Sequence, residues 1–286
     1  MSRILRIPRK PHQTSTKKKM VNLVYSPMSY KKLFIGTLCT FCTLVATAQE
    51  VNYKVDMVGI GPTNILDTYI SPEKYSGTEL RILTQSHRQW LKRPAWNSQT
   101  TFSIAFQNAA QRADNSNELG GLISVGYAIR HGWQLNDGWR IEAGGQAEGG
   151  VGFLYNTRNS NNPAQARAYL HIGPDVLSVW RFPLFRKQSF LRYELSAPLL
   201  GLMFSPNYGQ SYYEIFSRGN YDHNIVPTTP FCAPSLRQQL TLDVTLKRLT
   251  FRIGYLGDYQ QAEVNKLKYH TYSHMLLIGL VRPLFR

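Results

Sequence analysis

Beyond residue 50, most of this chain alternates apolar and polar residues with a period of two. Between Ser235 and Lys247, Leu236, Leu240, Leu242, Val244 and Leu246 share one face, and the other face carries Arg237, Gln239 and Asp243. A strand directs successive side chains to opposite faces, so this pattern predicts strands with one apolar and one polar face. No segment shows a comparable helical period, which favours an all-β protein.

The alternation predicts ten strands, each bounded by turn-forming residues. They fall at about 51–59, 78–89, 99–112, 119–133, 138–155, 166–180, 188–204, 235–247, 249–260 and 267–283. Several are longer than the 9–11 residues that suffice for a tilted strand to cross a bilayer.

The lengths of the predicted connections also alternate. Short ones fall near 136–138, 182–187 and 247–248, and longer ones at 60–77, 156–165 and 205–234. Outer-membrane barrels have short periplasmic turns and longer outer loops. We therefore predict an antiparallel transmembrane β-barrel of about ten strands. Eight are possible if the first strand is an arm, and twelve if the longest connection contains a hairpin.

The segment from Met28 has the three parts of a secretory signal peptide. Lys31 and Lys32 precede an apolar run of about 13 residues, and an A-x-A site ends at Ala48. The run is shorter than the roughly 20 residues of a membrane-spanning helix. We predict an extension that is not part of the protein or a misassigned start at 1–27, a signal peptide at 28–48 and a single β-barrel domain at 49–286.

Charge and cysteine content exclude several classes of function. The formal net charge is +16, but residues 1–48 carry nine Lys or Arg and no acidic residue, so the basic excess is largely a property of the leader and indicates no nucleic-acid partner. Cys39 and Cys42 lie in the leader as well. Cys232 is then alone in the mature chain, which excludes an intramolecular disulfide and a cysteine-based zinc site.

Alternation alone does not say which face of the strands meets solvent. A soluble exported barrel that binds a small ligand would place the apolar face inside, and a membrane barrel places it outside. The export signal and the long strands favour the membrane. The side chains then predicted to face the lumen are Arg140, Glu142, Arg192, Glu194, Arg237, Asp243, Arg252, Asp258, His270 and His274, with Glu148, Arg167, His171 and Asp175 on the same polar faces.

A lumen of about ten strands is narrow enough for side chains to fill it, whereas open pores need roughly sixteen. We therefore predict a lumen plugged by paired charges and by the connection 205–234, which is rich in Tyr, Pro, Asn and Gly. Loops of this length are usually functional or disordered. Its candidate binding residues are Tyr208, Ser211, Tyr212, Tyr213 and Glu214.

Four stretches resemble one family of exported proteins of the Bacteroidota, the domain of unknown function 3316. They are FSPNYGQSYYEIF at 204–216, Asp67-Thr68-Tyr69 with Ser76-Gly77, RIGYLGD at 252–258 and NKLKYH at 265–270. The resemblance extends over nearly all of the mature chain. It implies an exported barrel and no particular activity.

Two functional hypotheses follow. The first is an outer-membrane barrel with a structural, binding or narrow-transport role and no catalysis, and this is the one we favour. The second is a lipid-modifying hydrolase or acyltransferase that would use Ser211, Tyr212 and Glu214, or His270 and His274. We predict no catalytic residues, metal site or cofactor. The expected partners are outer-membrane lipid and, from the apolar last strand with Phe285 near its end, the barrel-assembly machinery; the sequence leaves the oligomeric state open.

Overall fold

The computed structural model describes residues 53–113, 115–160, 162–184, 187–246 and 249–284. The predicted leader, its cleavage site and the predicted start of the chain lie outside these residues, as does Phe285. Among the described residues, no helix is long and apolar enough to cross a membrane.

Twelve strands and one short helix form within the described part of the chain. The strands are β1 Tyr53–Asp67, β2 Ser71–Trp90, β3 Arg93–Gln111, β4 Asn117–Asn136, β5 Trp139–Asn156, β6 Ala164–Leu184, β7 Lys187–Ser196, β8 Leu200–Phe204, β9 Ile225–Thr228, β10 Leu236–Leu246, β11 Leu249–Val264 and β12 Leu267–Pro283. The helix, α1, is Tyr212–Phe216.

Ten of these strands close into an antiparallel barrel. Neighbouring strands pair in the order β1, β2, β3, β4, β5, β6, β7, β10, β11, β12, and β12 pairs back with β1, for example Ile60 with Leu276. The predicted all-β barrel of ten strands is confirmed. The alternatives of eight and twelve strands are wrong, because β1 is part of the wall and β8 and β9 lie outside the closed circle.

The apolar face of the strands points outwards. In β10, Leu236, Leu240 and Leu246 are exposed, while Gln239 and Asp243 are buried towards the lumen. A large outward apolar surface around a charged interior is the arrangement of a barrel surrounded by lipid. The outer face of the strands is therefore the apolar one, which alternation alone did not decide.

The first residues of strand β1 do not follow this outward apolar pattern. Val55 and Met57 point into the lumen, where they pack with Leu83, Leu256 and Met275 in an apolar cluster. The outward positions of β1 are polar at Lys54 and Asp56 and become apolar at Val58 and Ile60, which are 47% and 57% exposed. The lumen is therefore not uniformly polar.

The two ends of the barrel differ. One end, called here the turn end, has the two-residue connections 91–92 and 137–138, and Leu184 at the end of β6, Leu246 at the end of β10, Tyr53 and Pro283 lie there as well. The other, the loop end, has the connections 68–70, 112–116, 157–163, 197–235 and 265–266. The predicted long loop at 60–77 is wrong, since β1 and β2 extend through almost all of it and leave a three-residue turn.

The predicted strand 188–204 is divided by a bulge. Ser196 of β7 faces Asp175 of β6, and Leu200 of β8 faces Ile172. The chain advances four residues from Ser196 to Leu200 while β6 advances three from Ile172 to Asp175. The extra residue makes this a β-bulge. The intervening residue Pro198 has no N–H for a ladder bond, and beyond it the chain turns away from β10 to pair with β9.

Candidate functional site

Ion pairs fill the lumen near the turn end. The Arg252 guanidinium donates to both oxygens of Asp243, at 2.6 Å to Oδ1 and 2.7 Å to Oδ2, and Arg192 Nε donates to Asp243 Oδ2 at 3.0 Å. The ring of Tyr53 lies 5.1 Å from the Arg192 guanidinium and 5.6 Å from that of Arg252. Because β1, β7, β10 and β11 contribute these groups, the pairs tie several walls of the barrel together.

A second group at this end is built on Glu142. Arg140 Nε lies 2.8 Å from Glu142 Oε1, and His87 Nε2 lies 3.6 Å from Glu142 Oε2. The His87 ring stacks on Tyr53 with the ring centroids 4.9 Å apart. This stack connects the second group to the first.

Arg130 occupies the middle of the barrel and is completely buried. Its guanidinium donates from Nε to Asp175, from Nη2 to Glu194 at 2.7 Å and from Nη1 to Gln99 Oε1 at 3.2 Å. Two acids and an amide therefore satisfy one buried cation. Such an arrangement compensates the desolvation of the charges only while every member is present.

A third network lies between the middle and the loop end. Arg81 pairs with Glu79 at 2.6 Å and with Asp258 at 2.5 Å, and Arg237 pairs with Asp258 at 3.2 Å and also with Glu148. The Tyr169 hydroxyl donates to Glu148 at 2.9 Å. Nearer the mouth, Arg167 lies 3.7 Å from Asp67 and donates to Thr271 Oγ1 at 2.7 Å.

These layers leave little empty space in the lumen. Four pockets that touch these networks measure about 60, 30, 20 and 10 Å³, and a wider pocket of about 320 Å³ lies at the loop end beside Tyr75, Ser116 and Asn156. A single water needs roughly 10–15 Å³ of such space. Among the described residues, the four smaller pockets therefore have room for about one to a few waters each.

The segment between β8 and β9 covers the mouth at the loop end. Tyr212 of α1 donates its hydroxyl proton to Gln165 Oε1 and accepts from the Ala166 N–H, both at 2.7 Å, and packs edge-on against Tyr69 at 5.7 Å. Gln165 begins β6, and Tyr69 lies in the turn after β1, on the opposite side of the ten-stranded circle. Tyr212 therefore bridges the mouth, and burial raises its pKa and raises that of Tyr69 to about 12.

Two asparagines and a cap hold this segment in shape. Asn265 Nδ2 donates to the carbonyls of Ser205 and His223, and Asn224 Nδ2 donates to Gln210 Oε1 at 2.7 Å. At the start of α1, the Ser211 N–H donates to the Glu214 carboxylate at 2.7 Å, and the Glu214 N–H donates to Ser211 Oγ. The Ser211 N–H and hydroxyl hold the pKa of Glu214 below its usual value.

The five predicted binding residues divide into two groups. Ser211, Tyr212 and Glu214 form the cap and the bridge across the mouth, so the structure gives them an architectural role. Tyr208 and Tyr213 are 74% and 62% exposed, and Arg218 lies 5.5 Å from the Tyr213 ring. The predicted binding role of all five residues stays a prediction, and Tyr208 and Tyr213 are the most exposed of them.

Two of the predicted lumen residues are misplaced. His270 and His274 alternate with the buried Thr271, Ser273 and Met275, so both point outwards. The assignment was wrong because β12 carries small polar residues on its inner face and His and Tyr on part of its outer face. The residues that lie on the inner face are Arg140, Glu142, Arg192, Glu194, Arg237, Asp243, Arg252 and Asp258.

The outward histidines belong to a polar patch in the wall. His274 Nδ1 lies 2.7 Å from the Tyr255 hydroxyl, which is 3.1 Å from that of Tyr259. His270 Nε2 lies 2.8 Å from Asn64 Oδ1. Internal hydrogen bonds thus satisfy most of the polar groups on this part of the outer face.

Three central residues were absent from the sequence-based set. Glu79, Arg81 and Arg130 are all buried in the networks above. Each lies within a predicted strand on its polar face, so the alternation could have identified them. Throughout the described ranges, no group of three or more His, Cys, Asp or Glu could hold a metal ion.

One family model matches residues 33–286, and its description is "Protein of unknown function (DUF3316)". No curated protein sequence matches the chain.

Several solved structures are similar at low identity. The outer membrane protease OmpT from Escherichia coli has 7% identity and a TM-score of 0.46, with 81% of this chain and 96% of OmpT covered. The translocator domain of the autotransporter NalP from Neisseria meningitidis has 10% identity and a TM-score of 0.36, with coverages of 87% and 95%. Ail, the attachment invasion locus protein of Yersinia pestis, has 12% identity and a TM-score of 0.31, with coverages of 81% and 99%. Similarities at this level carry no argument about function.

Proposed function

Because the chain belongs to the DUF3316 family of proteins of unknown function, membership assigns no activity, and we propose from the geometry that it is a non-conducting β-barrel of the bacterial outer membrane. The filled lumen is the observation that carries this proposal. Its role is then binding or structural, exerted through the loop end and the outer wall. The outward apolar face supports the membrane location.

The electrostatics of the lumen support a permanent plug. Three networks, centred on Asp243, Arg130 and Asp258, follow one another along the barrel. An ion passing through would have to separate buried pairs, and a charge separated from its partner in this interior has little water to solvate it. A barrier of that kind in each layer favours a closed barrel over an ion-conducting pore.

The loop end supports the same proposal independently. Tyr212 and its neighbours cover the mouth above the networks, so the plug does not depend on the cover alone. The cap residues Ser211 and Glu214 are occupied by each other. This favours a binding or structural barrel over the hydrolase or acyltransferase alternative.

Single-channel recording in planar bilayers tests the proposal. We expect near-zero conductance for the folded protein, with a sixteen-stranded porin as the positive control. A variant in which Asn-Gly replaces residues 206–223 joins β8 and β9 by a tight hairpin and removes the cover. Its conductance should also stay near zero, because the ion pairs below remain.

Folding of both proteins is checked by β-sheet circular dichroism and heat-shifted gel mobility. Stepwise conductance in the folded wild type would contradict the proposal. Conductance in the shortened variant alone would show that the loop, and not the ion pairs, closes the lumen.

A further inference from the structure

The wall of the barrel has a gap in its hydrogen-bond ladder near the loop end. Ser196 of β7 pairs with Arg237 of β10, and above this level β8 pairs only with β6 and β9. The chain before β10 bonds instead to β11, through the Cys232 carbonyl and the Glu263 N–H at 2.7 Å. Within the described residues, no ladder joins β9 to β11.

Local sequence explains the gap. The bulge adds one residue at Ala197–Leu199, so side chains change face between β7 and β8. Pro198 in the bulge and Pro227 in β9 each lack an N–H, so neither can donate to a neighbouring strand. The barrel is therefore fully laddered at its turn end and interrupted on one side nearer its loop end.

A pocket of about 60 Å³ lies in the wall at this gap and is lined by residues of both faces. Its inner lining includes Glu148, Tyr169 and Asp258, which belong to the buried charge network. Its outer lining includes Leu200 and Leu202, which are 54% and 46% exposed on the outer face. One pocket thus joins apolar outer surface to polar lumen, which is the shape that an amphiphilic molecule needs.

The charges around the pocket disfavour a charged head group. Among the described residues, Glu79, Glu148 and Asp258 form their ion pairs with Arg81 and Arg237, so this layer has one carboxylate in excess and would repel an anion. An ammonium group also lacks a free partner at Glu148, because both carboxylate oxygens of Glu148 already accept hydrogen bonds. Oε1 accepts from Tyr169, Oε2 accepts from Gln146 at 3.0 Å, and each accepts another from Arg237. An uncharged head with hydroxyl or carbonyl groups fits best.

His171 supplies the hydrogen-bonding group for such a head. Its ring lines the pocket and stacks on Tyr169 at 5.2 Å. In the part of the chain that the structure describes, its nitrogens have no hydrogen-bond partner. A neutral imidazole offers one donor and one acceptor, which matches a hydroxyl group.

We propose that this gap is a lateral binding site for a single-chain lipid with an uncharged head, of the monoacylglycerol class. The glycerol head enters the wall and bonds to His171, and the acyl chain lies outside along Leu199, Leu200 and Leu202. A cavity of about 60 Å³ holds a few water-sized groups, which suits a head as small as glycerol. The inference rests on the membrane location proposed above.

Photo-crosslinking in phospholipid vesicles tests the site. The probe is a monoacylglycerol with a diazirine near the glycerol end of its chain, and labelled peptides are mapped by mass spectrometry. We expect labelling within residues 199–203 and 228–236. Probes with the same chain but a carboxylate or a primary ammonium head should label these peptides at background level.

Two variants and their controls make the test specific. Leu202→Trp fills the outer entrance, and Leu80→Trp adds the same bulk at a similarly exposed position on β2, across the barrel. Labelling should fall about tenfold in the first, equivalent to about 1.4 kcal/mol, and stay unchanged in the second. His171→Phe keeps an aromatic ring but no hydrogen-bonding group, so it should lower labelling. His171→Gln keeps a donor and an acceptor, so its labelling should lie between those of His171→Phe and the wild type.

Some results would overturn the site while leaving the barrel proposal intact. These are uniform labelling around the wall, equal effects of the two tryptophans, no effect of His171→Phe, or stronger labelling by a charged probe. Carbonate extraction and conductance are measured on the same vesicles. A protein that stays inserted and closed but shows any of these results refutes the lipid site alone, whereas failure to insert would refute the proposed function.

Discussion

At the residue scale, this protein depends on networks of buried ion pairs. Arg130 and Asp175 are both 0% exposed, and Glu194 completes their group. The pairs occupy most of the polar inner face, beside the apolar cluster around Met57, because the outer face uses most of the apolar residues of each strand. The networks stabilise the fold only when every member is present, since a charge left alone in this interior has no water to solvate it.

Replacing Arg130 by Met should therefore be severe. The change leaves Asp175 and Glu194 without their cation and should lower the free energy of unfolding by about 3–5 kcal/mol, measured by urea titration in phospholipid vesicles. Arg282→Met is the matched control, because Arg282 is largely exposed and pairs with Asp56 at the rim. Its loss should be within about 1 kcal/mol. Equal losses in the two variants would contradict a stabilising role for the buried network.

At the scale of secondary-structure elements, the five-residue helix α1 has an effect beyond its size. A helix this short is not stable by itself. Here the capping box of Ser211 and Glu214 fixes its start, and Ile215, 1% exposed, anchors it to the protein. The helix in turn holds Tyr212 across the mouth, so the cap controls the order of the cover.

Acidification should loosen this cover. The pKa of Glu214 is below its ordinary value of 4.5 in the folded loop, so its stabilising bond is fully present above pH 4.5 and is lost as the pH falls through the lowered pKa. We expect amide hydrogen exchange across residues 212–217 to accelerate below that range, after correction for intrinsic rates. Glu214→Gln keeps an acceptor and should remove the pH response. An unchanged response in this variant would assign it to another group.

At the scale of the whole molecule, the barrel is built inside out relative to a soluble protein. The outer face presents Ile60, Leu80, Phe106 and Leu276, and the inner face presents the charge networks. Closure by β12 on β1 leaves the barrel strands without a free edge, which a wall in lipid requires because unpaired backbone groups there have no water to bond. The interruption beside β9 is the exception.

An arginine at the middle of the outer wall tests this arrangement. Ile60 lies halfway along β1 and is 57% exposed, so Ile60→Arg should cost about 2–4 kcal/mol in vesicles if lipid surrounds it. Leu135→Arg, at the turn end of β4 and 51% exposed, should cost no more than about 1 kcal/mol. A neutral Ile60→Arg would instead favour the soluble exported barrel.

Periodicity located the ten barrel strands but not their ends. The stretch 60–77 contains Gly, Pro, Asn and Ser, which predicts a loop, yet Gly61 lies within β1 and Gly77 within β2. At both positions a side chain would collide with the carbonyl of a neighbouring strand. These glycines allow close strand approach, and only the pairing of the strands reveals that use.

The sequence alone determined that the chain forms long antiparallel strands with one apolar and one charged face, because the period of two is a local property of the backbone. Only the tertiary structure decided which face is inside, since closure of the barrel sets that for all strands together. It placed Val55 in the lumen and His274 on the wall. Only the tertiary structure also shows the gap in the hydrogen-bond ladder beyond Pro198, because pairing between β9 and β11 would involve residues more than thirty positions apart in the sequence.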